Sequence, residues 1–451
     1  MATSGTTTLT VDRPDRLTWP QILALSAPAF VTSGFLVPLA VFIPAFLTEH
    51  VGLSLGAVGT ILFIGRLWDV LNDPIMGALT DATATPIGRR RPWIIAGMPL
   101  ALVGTWQIYF AQPGSDFTSI AAWMVILFAG WTMIIVAHGA WGAEISGDYD
   151  ERSRIFGAKM IAVALSIPIF VLGPAILERT SGADIAQQMG LMGYTVMIGM
   201  PITIGLLLWL TPEPKCQPAR LTWAGIADSY LLIFRQNKFA FVSAAYFFVG
   251  ASEAIGSSIF VFLVRDALSL PNWAASFLVV QAVTCLVSLP FWLMLSHRTD
   301  KRVALIGVFT LMALVAPIPL FLPSGNIAVF ALYAAAKGLT WGAEYTLLRS
   351  IVADLVDDDA DAQGANRAGA FYASFSLTFG IAQALGSAGA LWFLSGLGFS
   401  PSAAPEDRAA FGEVLRWIAA CAPFVAAVTC AGLMTQFRMT RSDVALRRAA
   451  G

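Results

Sequence analysis

Long uncharged runs alternate with short charged knots along all 451 residues. Twelve apolar windows can be marked, near 21–47, 55–80, 92–112, 117–145, 154–178, 187–211, 238–265, 270–296, 302–323, 326–355, 367–396 and 411–437. Each is long enough to cross a hydrocarbon layer about 30 Å thick, which takes about twenty helical residues. Turn-forming stretches punctuate them: PGSD at 113–116, RTSGAD at 179–184, PSGN at 323–326 and SPSAAPED at 400–407. The pattern predicts an all-α polytopic membrane protein with twelve transmembrane helices. The longest polar connection, TPEPKCQPARLTWAGIADSYLLIFRQNK, follows window six. It divides the chain into a first six-helix bundle over 1–211, a linker over 212–237 carrying a short interfacial helix near 221–235, and a second bundle over 238–451.

The two halves echo each other. FLTEHVGLSLGAVG closes window one and FLVRDALSLPNWAA closes window seven, while GRRR after window two stands where HRTDKR stands after window eight. WGAE occurs at 141–144 and again at 341–344. Paired halves around a midplane site are the plan of an alternating-access transporter. Most Lys and Arg fall in the loops on the side of the termini, with Arg179, Arg265, Arg408 and Arg416 on the other. The asymmetry predicts cytosolic termini, a cytosolic linker and a place in the inner (plasma) membrane.

Composition agrees. Hydrophobic residues make up 57% and charged residues 12% of the chain, against about 25% charged in soluble proteins. The basic residues are scattered in knots such as GRRRP, DERSR and HRTDKR rather than gathered on one face, which argues against a nucleic-acid partner. The scattered cysteines suggest neither disulfides nor a metal site, and the polar first twenty residues read as a retained cytosolic tail rather than a signal peptide. His50, His138 and His297 lie far apart, with no nucleophile motif and no ATP-binding motif, so neither an enzyme nor an internal ATP motor is expected.

The sharpest feature is GRLWDVLNDPIMG at 65–77, which puts Arg66, Asp69 and Asp73 in the middle of window two. A charge at the bilayer centre costs roughly 2.5–3.5 kcal/mol on insertion scales. Spacings of three and four put Asp69, Asn72 and Asp73 on one helix face, with Arg66 able to share it. Pro74 removes the helical partner of the Val70 carbonyl, which adds an oxygen. Hard cations favour such oxygens, and two adjacent carboxylates without a cation hold a proton between them. The cluster is therefore a candidate site for Na⁺ or H⁺. No other cofactor or metal is expected.

The stretch GRLWDVLNDPIMGALTDATATPIGRRRPWIIAG resembles the second span and following loop of the glycoside-pentoside-hexuronide:cation symporters, the melibiose permease group of the major facilitator superfamily. WGAEISGDYDERSRI at 141–155 and ADLVDDDADAQGANRAGAFYASFS at 353–376 resemble the loop after its fourth span and the loop entering its eleventh. The resemblance implies the major facilitator fold, two pseudo-symmetric six-helix bundles, and cation-coupled symport of a small solute such as a sugar, glycoside or organic acid by a monomer. It implies that Asp69, Asn72 and Asp73 hold the cation beside a conformationally important Arg66. It further implies that Gly77, Asp81, Gly88, Arg89, Arg90 and Arg91 help hold the halves together on the cytosolic side. Glu144 and Glu344, at the cytosolic ends of spans four and ten, join them as gate candidates expected to pair with loop arginines such as Arg152 or Arg154.

Departures from the family pattern bear on the solute. Ser33 stands where melibiose-type proteins carry a sugar-binding aspartate, the second sugar acid falls near Ala137 or His138, and a family lysine in span eleven is replaced near Gly380. The loss of those acids keeps an amphiphile such as a lysolipid, or a non-transporting sensor, as the alternative. Spans one, four, seven and ten line the superfamily's cavity, which makes Ser33, His138, Trp141, Glu253, Lys337 and Trp341 candidates for it. Glu253 and Lys337 are lone charges in apolar runs, able to pair with each other or meet a charged solute. His138 fits either a proton relay or a packing role. The acidic run at 354–367 reads as a solvated cytosolic loop.

Overall fold

The computed structural model describes residues 16–146, 148–213, 236–363, 368–401 and 403–437. The interfacial helix expected near 221–235 lies outside the described residues. The helices, in order, are α1 (Trp19–Glu49), α2 (Leu55–Ala82), α3 (Arg91–Tyr109), α4 (Phe117–Glu144), α5 (Tyr149–Thr180), α6 (Ile185–Leu210), α7 (Asn237–Ala267), α8 (Ala274–Arg298), α9 (Lys301–Phe321), a tenth segment in two pieces, α11 (Ala368–Gly396) and α12 (Gly412–Gln436). The tenth consists of α10a (Ile327–Gly338) and α10b (Ala343–Gln363). Ten helices among the described residues are long and apolar enough to cross a membrane. The remaining two of the twelve segments are the 19-residue α3 and the broken α10.

The turn stretches act as helix starts. Asp116 of PGSD accepts from the Ser119 amide at 3.0 Å, Asp184 of RTSGAD from Gln187 at 2.8 Å, and Asn326 of PSGN from Val329 at 3.1 Å. Each side chain satisfies an amide that the first helical turn leaves orphaned, typically worth about 1 kcal/mol.

The packing repeats with a period of six helices. In the first half α1 packs on α5 and α6, α4 on α2 and α3, and α3 on α6; in the second α7 packs on α11 and α12, α10 on α8 and α9, and α9 on α12. Two seams join the halves, α2 against α11 and α5 against α8, and these also exchange under the same shift. The seam of α2 is tight because Gly380 of α11 has no side chain: a Cβ there would collide with Val70 Cγ2.

The core shows where the halves meet. One apolar cluster runs from the first half into the parts of α7, α8, α10a, α11 and α12 that lie away from the termini. A separate cluster fills the termini side of the second half, with Phe239, Val242, Leu305, Leu348 and Phe371. Hydrogen bonds and ion pairs across the halves follow the same division among the described residues. Glu49 pairs with Arg265, Glu178 accepts from the amides of Ala275 and Ser276 at 3.1 and 3.0 Å, and Trp392 donates to Thr60 at 3.1 Å. All lie at the far face. These contacts latch the halves together away from the termini.

The acidic run is a correction to the loop expectation. α10b carries it as helix as far as Gln363, and Asp354 and Asp358 pair with Lys301 and Lys238 at 2.6 and 3.0 Å. Residues 364–367 lie outside the described set. Basic residues at the starts of α7 and α9 make a helical surface, rather than a solvated coil, the lower-energy course for these charges.

Candidate functional site

Asp69 sits at the midpoint of α2, with Asp73 one turn nearer the termini face. The Thr132 hydroxyl of α4 donates to Asp69 Oδ1 at 3.0 Å and also faces Asp73. Neither carboxylate has an ion-pair partner within 4.0 Å among the described residues. Arg66, one turn away, acts on Asp69 through charge while its guanidinium lies over the Phe128 ring, 5.5 Å from the centroid. Asn72 is half-buried and makes no hydrogen bond among the described residues, and Asp73 is exposed. Two carboxylates, a hydroxyl and an amide carbonyl thus stand beside the α2–α4 contact and next to the seam with α11, with no fixed cation saturating them. Thr132 is a site residue that sequence reasoning missed, because threonines are common in apolar helices and only packing brings this one to Asp69.

A second cluster ties helix ends together at the termini face. Arg90 is buried and donates to Thr80 Oγ1 at 2.7 Å, Asp81 Oδ1 at 2.6 Å and Glu144 Oε1 at 2.5 Å, while Arg89 also pairs with Glu144. Burial works against the charge on Arg90, but hydrogen bonds and proximity to Glu144 and Asp81 outweigh it and raise its pKa, so it stays cationic. Glu213, just past α6, accepts from the amides of Arg89 and Arg90 at 2.6 and 2.5 Å and from Arg91 at 3.4 Å. A carboxylate there meets the positive end of α3. Gly88 is required twice over: its φ is +122°, and a Cβ would collide with Glu213 Oε2. Arg91 donates to Thr211 O at 3.0 Å and lies over Trp141, which is buried and donates to Pro212 O at 3.0 Å. Gly77 has open space where a Cβ would be, and its carbonyl accepts from Thr80.

Several expected placements change. Among the described residues, the contacts of Arg90 and Arg91, and those of Arg89 with Glu144 and Glu213, bind α2, α3, α4 and the end of α6 to one another. Arg152 and Arg154 do not reach Glu144. Arg152 donates to Ser146 O at 2.8 Å, and Arg154 pairs with Glu151 at 3.1 Å, donates to Leu17 O and covers Trp19. Those contacts pin the start of α1 to α5. Trp141 is buried within the helix-end cluster. Glu213 was missed because it follows an apolar window in a connection that looks like linker.

His138 is buried, and its Nε2 lies 2.7 Å from the Leu25 carbonyl of α1. Ser33 is half-buried on α1. Lys159, in the middle of α5 and within electrostatic reach of His138, has no ion pair among the described residues and was also missed.

Glu253 and Lys337 do meet, with Glu344, around one small cavity in the second half. It holds about 50 Å³, room for a few waters and too little for a sugar or lipid. Glu253 accepts from Ser257 at 3.3 Å and forms no ion pair with Lys337 within 4.0 Å. Glu344 is buried in this cavity, not placed at a gate with loop arginines. The reason is the break in α10, where Gly342 has φ +86°. Trp292 of α8 donates to Leu339 O and Cys285 to Trp341 O, both at 2.7 Å, satisfying carbonyls that the break frees. Trp341 forms part of this bend and does not line the cavity.

The family model described as MFS/sugar transport protein matches residues 25–441. An uncharacterized symporter of Synechocystis sp. is 26% identical, over 79% of this chain and 81% of its own length. A putative glycoside/cation symporter of Escherichia coli, YagG, is 21% identical over 83% and 82%. The sodium-dependent lysophosphatidylcholine symporter 1 of Gallus gallus is 22% identical over 74% and 70%. Among solved structures, the nucleoside transporter NupG superposes with a TM-score of 0.65 at 10% identity, covering 93% of this chain and all of that one; this shows the shared fold. With a family match from end to end and a helix plan to go with it, the chain belongs to the melibiose permease-like MFS/sugar transport family of the major facilitator superfamily and is a multi-pass secondary transporter.

Proposed function

We propose that this protein is a symporter that couples entry of Na⁺ or H⁺ at Asp69, Asn72 and Asp73 to movement of a small solute, a sugar, glycoside or related organic acid, by alternating access. The carrying observation is the pair of α2 carboxylates, at membrane mid-depth and without an ion-pair partner among the described residues. An arriving cation repays their desolvation, and coupling requires that it bind the two conformations unequally. The latch at the far face fits a conformation open toward the termini. With the basic loops as the cytosolic side, this is an inward-facing state of a monomer in the inner (plasma) membrane, and the bundles are 1–211 and 238–451 about the 212–237 linker. No cofactor takes part beyond the coupling ion.

The amphiphile reading has support of its own. Relatives include the lysophosphatidylcholine symporter and a sphingosine-1-phosphate transporter of Xenopus tropicalis, and Lys159, with no ion pair among the described residues, offers an ammonium to an anionic group. A thermal-shift screen of sugars, hexuronates and lysophospholipids identifies the solute. Uptake of that solute into vesicles then tests coupling: Asp69→Asn and Asp73→Asn should lose gradient-driven uptake while remaining folded. Full gradient-driven uptake by both variants refutes the reading.

A further inference from the structure

The cavity at the α10 break holds more acid than base. Glu253 from α7 and Glu344 from α10b face one ammonium, Lys337 at the end of α10a, whose Nζ lies 3.8 Å from where a Gly256 Cβ would be. With both acids ionised the cluster carries one uncompensated negative charge inside protein and membrane. The two carboxyls are not equivalent. Glu253 has the Ser257 hydroxyl, whereas Glu344 is 5% exposed and its Oε2 has no hydrogen-bond partner among the described residues. The other side of the Glu344 carboxyl faces backbone amides at Gly342 and Glu344.

A second cation, Arg349 of α10b, is held off by Tyr246 of α7: its Nε donates to the Tyr246 hydroxyl at 3.3 Å, and among the described residues it forms no ion pair with Glu344 within 4.0 Å. From α8 comes Cys285 and from α12 Cys430, while Tyr246 packs edge-on to Tyr345. Tyr333 of α10a lines the cavity, and Tyr345, beside Glu344 on α10b, has its own hydroxyl buried without a partner. α9 contributes only Met312 to the lining. Lys337 repels an incoming metal cation, and the space admits nothing larger than water. Lys337 opposes a proton as well, but a proton needs no coordination shell and is held covalently on the carboxyl oxygen.

We propose that Glu344 is a proton-binding site, separate from the α2 cluster, which takes up one proton when the cavity closes and releases it when water or a conformational change brings a new partner to Oε2. Protonation makes the Glu253–Lys337–Glu344 group neutral, and the unpartnered Oε2 becomes a hydroxyl donor toward cavity water. Because α7, α8, α9, α10 and α12 all belong to the second half, this proton reports strain within that half, whereas the α2 site reports the seam between halves.

The test reads the carboxyl directly and needs neither solute nor transport. Infrared spectra of reconstituted full-length protein are recorded across pH in an Asp69→Asn/Asp73→Asn background, so that the α2 acids contribute no protonated-carboxyl band. A C=O band of a buried protonated carboxyl is expected at neutral pH and should vanish on adding Glu344→Gln. If that variant does not fold, Glu253→Gln serves, because removing the neighbouring negative charge should lower the midpoint of the band's titration by about one pH unit. A band unaffected by Glu344→Gln, an unmoved midpoint in Glu253→Gln, or loss of the band on adding Na⁺ at fixed pH overturns the proposal. Since α2 is already neutralised, failure here leaves the symport reading untouched, and the reverse also holds.

Discussion

Two places in this membrane protein carry acids at mid-depth, and they are built differently. The α2 site sits on a continuous helix beside α4 and the α11 seam, where relative motion of the halves changes its surroundings. The α10 site sits at a helix break, enclosed by helices of one half, with its own lysine. The second has its charge balance set inside one bundle. Under the proposed symport, position relative to the seam is what separates a coupling site from a buried acid.

The largest effect on cation binding should come from Asp73→Asn. Losing one of two anionic ligands should weaken cation binding by at least about tenfold, measured by titrating the purified protein with Na⁺ at several pH values. Arg90→Ala comes next, on stability rather than coupling. It strips a buried guanidinium from Glu144 and Thr80 and should cost about 3 kcal/mol, seen as a lower melting temperature in detergent. Gly380→Leu inserts a side chain where Val70 packs; overpacking of about 1–3 kcal/mol should pry α2 from α11 and disturb the cation site while leaving Glu344 unaffected. Glu213→Gln weakens the cap on α3 by about 1 kcal/mol. The smallest effect is that of Thr132→Val, a loss of about 1 kcal/mol in cation binding with no change in melting.

Much of this was legible in the chain. Lipid admits only internally bonded backbone, so helices must span it as long apolar runs, and the twelve windows follow from that. The α2 cluster was legible because charges inside such a run are costly and rare, and Asp69, Asn72 and Asp73 lie within a turn and a half. What escaped depends on tertiary partners. KGLTWGAE reads as continuous helix until Trp292 and Cys285 arrive to bond the freed carbonyls at 339 and 341. Glu344 therefore looked like a second Glu144, although the repeated WGAE has opposite surroundings in the two halves: arginines around one, an apolar cavity around the other. Trp141 looked like a solute platform because its partners, Arg91 at the start of α3 and the Pro212 carbonyl, are far off in sequence. Lys159 was passed over because it lies on the fifth span, outside the four spans that the family resemblance assigns to the cavity.

Direct cation binding to the purified, solute-free protein is the sharpest measurement. Calorimetric titration with Na⁺ at low and high pH should show one saturable monovalent site in the wild type, with Na⁺ and H⁺ competing for it, and none in Asp69→Asn/Asp73→Asn. Wild-type binding in that double variant would contradict the account.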